Sequence, residues 1–154
     1  LLFMEQSFFM SCDIKLSDDK KYVILKFQGK INKHIILPFI VQSHILAKKH
    51  KIDRFLVNMI LAENRDTFPE KFDYAYSDVK KVSEINPDAV ISVVVAPDDH
   101  SHDFIEKVLR KNNYDVTMFR SELEAVNYLY ETAENREKIK KSLSHAAGDL
   151  PADC

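Results

Sequence analysis

The strongest constraint on the fold is an almost unbroken apolar run at residues 89–96 (AVISVVVA), in which Ser92 is the one polar residue. Five of its eight residues are valine or isoleucine. A strand with one solvated face has a polar residue at every second position, whereas a strand covered on both faces needs a continuous apolar sequence. The run therefore predicts a central parallel strand.

Strand and helix patterns alternate around this run. Apolar alternation and β-branched residues predict strands at residues 13–17, 21–28, 54–60, 89–96 and 116–120. Helical periodicity predicts helices at residues 32–51, 69–84, 101–112 and from 121 to about 143. The resulting order, ββαβαβαβα, predicts an α/β fold with a parallel core, an antiparallel N-terminal hairpin and helices packed on the sheet.

Local signals set the expected ends of these elements. Gly29 is expected to end the hairpin, and Asn32 is expected to cap the first helix. Thr67 and Glu70 have the spacing of a capping box at the second helix, as do Ser121 and Glu124 at the last one.

Composition excludes several classes of function. The chain has 154 residues, a formal net charge of −2 and two glycines, which disfavour a nucleic-acid partner and exclude a glycine-rich phosphate loop. Two cysteines near opposite ends are typical of a reducing cytosol. The longest apolar stretch, residues 35–47, is too short for a transmembrane segment. We expect a cytoplasmic protein with one domain over residues 1–147 and a flexible tail at 148–154.

Four stretches resemble one known family. They are YVILKFQGKI (22–31), DRFLVNMI (53–60), AVISVVVAP (89–97) and VTMFRSELEAVNYL (116–129), and the similarity extends over roughly residues 13–131. Together they resemble the SpoIIAA-like branch of the STAS domain superfamily. The resemblance implies a non-enzymatic domain that binds a partner protein or a small ligand, with no cofactor.

The same resemblance concerns the segment after the third strand. In anti-anti-sigma members a serine or threonine follows that strand within a D-S-S-G-like run, and its phosphorylation controls partner binding. Here Asn58 stands where an aspartate often closes the strand, and Thr67 is the only hydroxyl in the loop LAENRDTFPE (61–70). The resemblance makes Thr67 a candidate phosphorylation position, and a plain N-cap is the alternative.

Ligands of parallel sheets bind beyond the carboxyl ends of the strands, where two loops of this chain are expected to meet. The candidate residues on these loops are Glu63, Arg65, Asp66, Thr67, Asp98, Asp99 and His100. The sequence P-D-D-H-S-H-D at 97–103 contains imidazole and carboxylate groups that suit a divalent metal. It lacks the H-E-x-x-H spacing, and helix capping also explains its acidic residues, so no metal site is predicted.

The first helix has two apolar faces, although a helix on a sheet needs only one. Leu37, Val41 and Ile45 form a stripe opposite the face expected to contact the sheet, flanked by His34, His44 and Lys48. Three roles for this stripe are compatible with the sequence. The apolar first ten residues or another helix cover it, it forms a homodimer contact, or it binds a lipid-like ligand.

The remaining helices yield predictions of exposure. Tyr74 is expected to be exposed and to mark a recognition surface, opposite a buried face of Phe72, Tyr76, Val79 and Val82. In the last helix the expected buried residues are Leu123, Val126, Leu129, Tyr130 and Ala133.

The sequence thus favours a module that acts by binding a protein partner. That partner is another protein or a second copy of the same chain. The alternative is a binder of a small apolar or lipid-like ligand between the helices and the sheet. A metal-dependent enzyme is a third hypothesis, which depends on the residues near His100 alone.

Overall fold

The computed structural model describes residues 10–148, and side chains up to residue 145. Its framework is a five-stranded sheet in the order β1-β2-β3-β4-β5. Strands β1 and β2 are antiparallel, and the other neighbouring pairs are parallel. The strands are β1 (Ser11–Leu16), β2 (Val23–Ile31), β3 (Arg54–Asn64), β4 (Val90–Val94) and β5 (Asp115–Phe119).

The helices follow the strands in the predicted order. They are α1 (Lys33–Lys49), α3 (Asp103–Lys111), α4 (Glu122–Gly148) and, between β3 and β4, three consecutive segments, Phe68–Asp73, Tyr74–Asp78 and Val79–Lys81. We call these three segments α2 (68–81); the middle one is a π-helical turn. The predicted α/β fold with its order ββαβαβαβα is confirmed. No helix within residues 10–148 combines the length and the apolar character that crossing a membrane requires.

The sheet separates two layers of helices. Helices α1, α2 and α3 cover one face, where Val23, Leu25 and Phe27 of β2 are fully buried, as their alternation predicts. Helix α4 covers the other face with a smaller cluster formed by Leu56, Val90, Val94, Ala125 and Leu129. Strand β4 is covered on both sides, which explains its continuous apolar sequence.

The caps predicted at Asn32 and Thr67 are present, and Ser121 Oγ accepts from the Glu124 N–H at 3.4 Å in one half of the capping box predicted at the last helix. Asn32 Oδ1 accepts a hydrogen bond from the Ile35 N–H at 3.1 Å. Thr67 and Glu70 form a complete capping box, with side chain to backbone hydrogen bonds in both directions. Capping depends on groups within three residues of one another, so the sequence predicts it well.

Gly29 directly follows the last antiparallel pair of the hairpin, Ser11 with Gln28, but the strand itself does not end there. Strand β2 continues to Ile31, and β3 continues beside it to Asn64, four residues further than predicted. A register shift lies between Lys26 and Gln28, and Gly29 has φ of 94°, so this glycine allows β2 to bend and keep its partner. As a consequence Glu63 belongs to a strand, although it was expected in a loop.

The predicted faces of α2 are also wrong. Tyr74 is buried, whereas Phe72 and Tyr76 are exposed. The π-helical turn at Tyr74–Asp78 adds one residue to the turn, which rotates the later residues of α2 by about 100° relative to a regular helix. This rotation lets Val79 face the core while Phe72 and Tyr76, with which it was grouped, face outward.

Two further predictions of burial are wrong. Leu123 and Tyr130 of α4 are exposed, because only the middle of this face reaches the sheet at Ala125 and Leu129. His44, expected beside the exposed stripe, is buried and stacks on Phe55 with ring centroids 4.3 Å apart. The proposed cover by residues 1–10 and the tail at 148–154 fall almost wholly outside the described residues.

Candidate functional site

Four buried polar side chains converge where β3 ends beneath α2. They are Asn64, Asp66, Lys71 and His102, which we call the edge cluster. Asn64 is the last residue of β3, Lys71 lies on the inner face of α2, and His102 precedes α3. Charged residues are rarely buried without partners, so such a concentration at the ligand-binding end of a parallel sheet identifies the candidate site.

Backbone hydrogen bonds hold the edge cluster in place. The Asn64 N–H donates to Ser101 Oγ at 3.2 Å, which ties β3 to the segment that carries His102. Asn64 Oδ1 accepts from the Asp66 N–H at 2.8 Å and so turns the chain back after the strand. Asp66 Oδ2 in turn accepts from the N–H of Lys33, the first residue of α1, at 2.8 Å. The cluster thereby joins β3, α1 and the segment before α3.

A mainly apolar cavity of about 100 Å³ opens from the edge cluster, between the sheet and helices α1, α2 and α3. Its polar lining includes Asn64 and His102 at this edge, and His44. Three buried polar atoms of the edge cluster have no hydrogen-bond partner: Asn64 Nδ2, Asp66 Oδ1 and His102 Nε2. His102 Nε2 lies 3.3 Å from Asp99 Oδ2, but the two groups are not aligned for a hydrogen bond. Most buried polar groups are paired, so three unpaired ones in one place are unusual.

Burial controls the ionisation of this region. Desolvation raises the pKa of Asp66, although the hydrogen bond from the Lys33 N–H opposes the shift. Desolvation also lowers the pKa of His102 and raises the pKa of Tyr74. At neutral pH both rings are therefore uncharged, which suits the binding of an uncharged group beside them.

The structure divides the predicted loop residues between two sides of the sheet edge. Glu63, Asp98 and Asp99 border one shallow depression with the exposed Ile60 and Leu61. On the other side lie Asp66 and Thr67 at the start of α2, and the exposed Arg65 pairs with Glu63 at 3.3 Å. Of these predicted residues, Asp66 is the one inside the edge cluster. The functional roles of these positions, including phosphorylation of Thr67, stay predictions.

Arg120 organises the loop between β4 and α3. Its Nη1 donates to the carbonyl oxygens of Ala96 at 2.5 Å and Asp99 at 2.6 Å. The exposed His100 is held by Asp103, with Nδ1 2.8 Å from Oδ2. These contacts place His100 at the surface while His102, two residues later, is buried. Within residues 10–148, no three or more His, Cys, Asp and Glu side chains are grouped so that they would hold a metal ion.

The α1 stripe is only partly open. Leu37 and Val41 are half-buried and border a shallow groove with Asp78 and Val82 of the α2 region, whereas Ile45 is 55% exposed. The Lys33 Nζ to Asp78 Oδ2 ion pair, at 3.0 Å, closes one end of the groove.

The most exposed aromatic surface lies on α2 instead. Phe68, Phe72 and Tyr76, which we call the aromatic ridge, are 67%, 44% and 50% exposed and are spaced four residues apart. The rings of Phe72 and Tyr76 are stacked with centroids 5.1 Å apart, and Phe68 packs edge-on against Phe104 at 5.4 Å. The ridge lies on the opposite face of α2 from the buried Tyr74, and the Lys71 ammonium lies 5.4 Å from the ring centroid of Phe68.

Sequence reasoning missed both the edge cluster and the aromatic ridge. Asn64 and Lys71 carry no local signal, because their burial depends on segments far apart in the chain. The residues around His102 were assigned to helix capping, with a metal ligand as the less favoured alternative. The aromatic spacing in α2 was visible in the sequence, but it was assigned to the buried face, whereas Phe72 and Tyr76 are exposed.

Comparisons with known proteins bear on the fold. No protein family model matches the sequence, and no curated protein does. Among solved structures, an anti-sigma factor antagonist from Mycobacterium paratuberculosis is similar, with 9% identity and a TM-score of 0.52 over 79% of this chain and 95% of that one. The described residues share the fold of that structure.

A second similar structure is an uncharacterised protein with a SpoIIAA-like fold from Shewanella loihica. It has 15% identity and a TM-score of 0.44 over 78% of this chain and 93% of that one. The fold implied by the SpoIIAA-like resemblance is thus confirmed, by the mixed sheet and by the match to the antagonist. At sequence identities this low, similarity to a solved structure shows a shared fold and does not show a shared function.

Proposed function

We propose that this protein is a non-enzymatic cytoplasmic module that acts by protein–protein interaction, and that its partner binds the aromatic ridge of α2. The observation that carries the proposal is the exposure of Phe68, Phe72 and Tyr76 on a helix whose other face is buried. Aromatic side chains are enriched at protein interfaces and supply much of the binding energy there.

The ridge is ordered before any partner binds. Phe72 and Tyr76 stack on one another, Phe68 rests on Phe104, and the Lys80 ammonium lies 4.8 Å from the Tyr76 ring centroid. Ordering of side chains on association costs free energy, so rings that are already in place bind with less loss. The similar fold of an anti-sigma factor antagonist, a protein named for acting on another protein, also supports this function.

The test is a double substitution on the ridge, Phe72→Ser with Tyr76→Ser. We expect the partner that co-purifies stoichiometrically with the wild-type chain to bind the double variant at least about thirtyfold more weakly, as loss of an interface hot spot requires. Quantitative mass spectrometry of affinity-purified protein identifies the partner, and calorimetry measures its affinity.

Ile139→Ser is the matched control, because Ile139 is similarly exposed but lies on α4, outside both proposed contacts. This variant is expected to retain the partner. A stoichiometric partner that binds the ridge variant as tightly as the wild-type chain would rule out the ridge as the contact.

The alternative protein–protein contact is a homodimer, in which two copies of the chain meet through Leu37, Val41 and Ile45. It is favoured by the open groove along α1 and by the exposure of Ile45. Val41→Glu would place a charge in the centre of this contact, so a wild-type dimer should become a monomer with the fold retained. Native mass spectrometry distinguishes the two states, with circular dichroism as the check of folding. A dimer that persists in the Val41→Glu variant contradicts this arrangement.

A further inference from the structure

We propose that the cavity beside the edge cluster is a binding site for a small molecule with an apolar body about the size of one ring and a single hydroxyl group, which Asn64 and His102 recognise. This site is separate from the aromatic ridge, so the inference stands or falls independently of the proposed function. It follows from the size of the cavity, the chemistry of its walls and the unpaired atoms at one end.

The size and the walls suit an apolar group. The cavity measures about 100 Å³, and side chains such as Ile40, Val57, Met59 and Ile105 line it. An engineered apolar cavity of roughly 150 Å³ remains dry and binds benzene, so a cavity of this order accepts a ring or a branched chain of similar bulk. Water gains little in such a space, because it finds few hydrogen-bond partners away from the polar end.

The polar end determines which group the ligand carries. Asn64 and His102 are each 5% exposed and line the cavity, and neither Asn64 Nδ2 nor His102 Nε2 has a hydrogen-bond partner. The segments that carry them are joined by the hydrogen bond from the Asn64 N–H to Ser101. An amide nitrogen only donates, while an imidazole nitrogen donates or accepts according to its tautomer. A hydroxyl group does both, so it is the simplest single group that satisfies the two side chains.

Charge disfavours an ionised ligand at this position. Burial keeps the His102 ring neutral at neutral pH, and Asp99 Oδ2 lies 3.3 Å from its Nε2. A carboxylate placed beside His102 Nε2 would face the carboxylate of Asp99 in a desolvated region, which is unfavourable. The cation of the edge cluster, the Lys71 ammonium, lies over the Phe68 ring instead, 5.4 Å from its centroid. A neutral hydroxyl group avoids this repulsion.

Phenol and toluene are suitable probes, because they have similar bulk and differ in the hydroxyl group. Each is titrated into the full-length, isotope-labelled chain, and binding is followed by the NMR shifts of backbone amides. We expect phenol to bind at least about tenfold more tightly than toluene, with the largest shifts at Asn64, His102 and Ile105. Equal affinities for the two probes, or shifts confined to other regions, would overturn the proposal.

Two variants locate the binding. His102→Leu removes the polar partner and keeps the apolar walls, so the preference for phenol should fall to about twofold or less while toluene still binds. Ile105→Phe fills the cavity and keeps both polar side chains, so binding of both probes should be lost. Leu61→Phe is the matched control for the added ring, because Leu61 is exposed and outside the cavity. Unchanged phenol binding by a folded Ile105→Phe variant would overturn the assignment of the site.

Discussion

Replacing Leu129 by alanine is expected to lower the free energy of unfolding by about 2–5 kcal/mol, whereas the same change at Leu123 should alter it by less than about 0.5 kcal/mol. Both residues belong to α4 and both were expected to be buried from the sequence. Leu129 is 1% exposed and packs in the cluster with Leu56, Val90 and Val94, whereas Leu123 is 70% exposed. Truncating Leu129 removes buried apolar surface and leaves a cavity, and truncating Leu123 does neither.

Urea denaturation of the two variants and the wild-type chain measures the difference. The pair is well matched, since the same helix and the same atoms are involved and any change in helix propensity is common to both. Equal losses of stability in the two variants would mean that α4 packs on the sheet by a face other than the one that carries Ala125 and Leu129.

The second large effect is a loss of stability on acidification, caused by His44. Its ring is buried between α1 and the sheet, stacks on Phe55 and accepts a hydrogen bond from the Asn86 N–H through Nδ1 at 3.1 Å. Desolvation lowers its pKa from 6.5 to about 4. Below pH 6.5 the unfolded chain therefore binds a proton at this position that the folded chain does not bind until pH falls to about 4.

The direction in which the free energy of unfolding changes with pH follows from this difference in bound protons. The contribution of His44 is fully present above pH 6.5 and decreases as pH falls towards 4, where it levels off. The loss over this interval is roughly 3 kcal/mol, at about 1.4 kcal/mol for each unit of pKa shift. Denaturation at a series of pH values between 7 and 4 measures it.

Comparison with His44→Gln isolates the effect of His44. Other groups titrate in the same interval, among them His102, whose pKa is also lowered, and Asp66, whose pKa is raised. Their contributions cancel when the wild-type and His44→Gln curves are subtracted, and the difference should have the predicted slope. His50→Gln, at an exposed position, is the control for the replacement of a histidine by glutamine. The same pH profile for His44→Gln and the wild-type chain would exclude His44 as the cause.

The order of strands and helices could be read from the sequence because it depends on local patterns. The apolar run around Ser92 predicted the doubly covered β4, and the alternation of Val23, Leu25 and Phe27 predicted the buried face of β2. The caps at Asn32 and Thr67 were predicted because each depends on hydrogen bonds to a group three residues away. In these cases the determining interactions lie within one turn of helix or one strand.

The errors concern features that depend on distant contacts. The extension of β3 to Asn64 requires β2 to continue beside it, and residues 61–64 have little strand propensity of their own. The grouping of Val79 with the buried Tyr74 results from a single π-helical turn, which the periodicity of a regular helix does not anticipate. Leu123 is exposed because the sheet does not extend beneath it.

The amino-acid sequence alone therefore determined the class of fold, the order of its elements and the ends of several helices, since short-range periodicity and capping specify them. Only the tertiary structure decided which helix faces are buried and which polar residues meet. Asn64, Lys71 and His102 come from a strand end, a helix face and a loop, and they converge because the parallel sheet brings these three segments to one edge. The aromatic ridge and the cavity lie on opposite sides of α2 for the same reason: packing against the sheet, and not apolar periodicity, selected the face that turned inward.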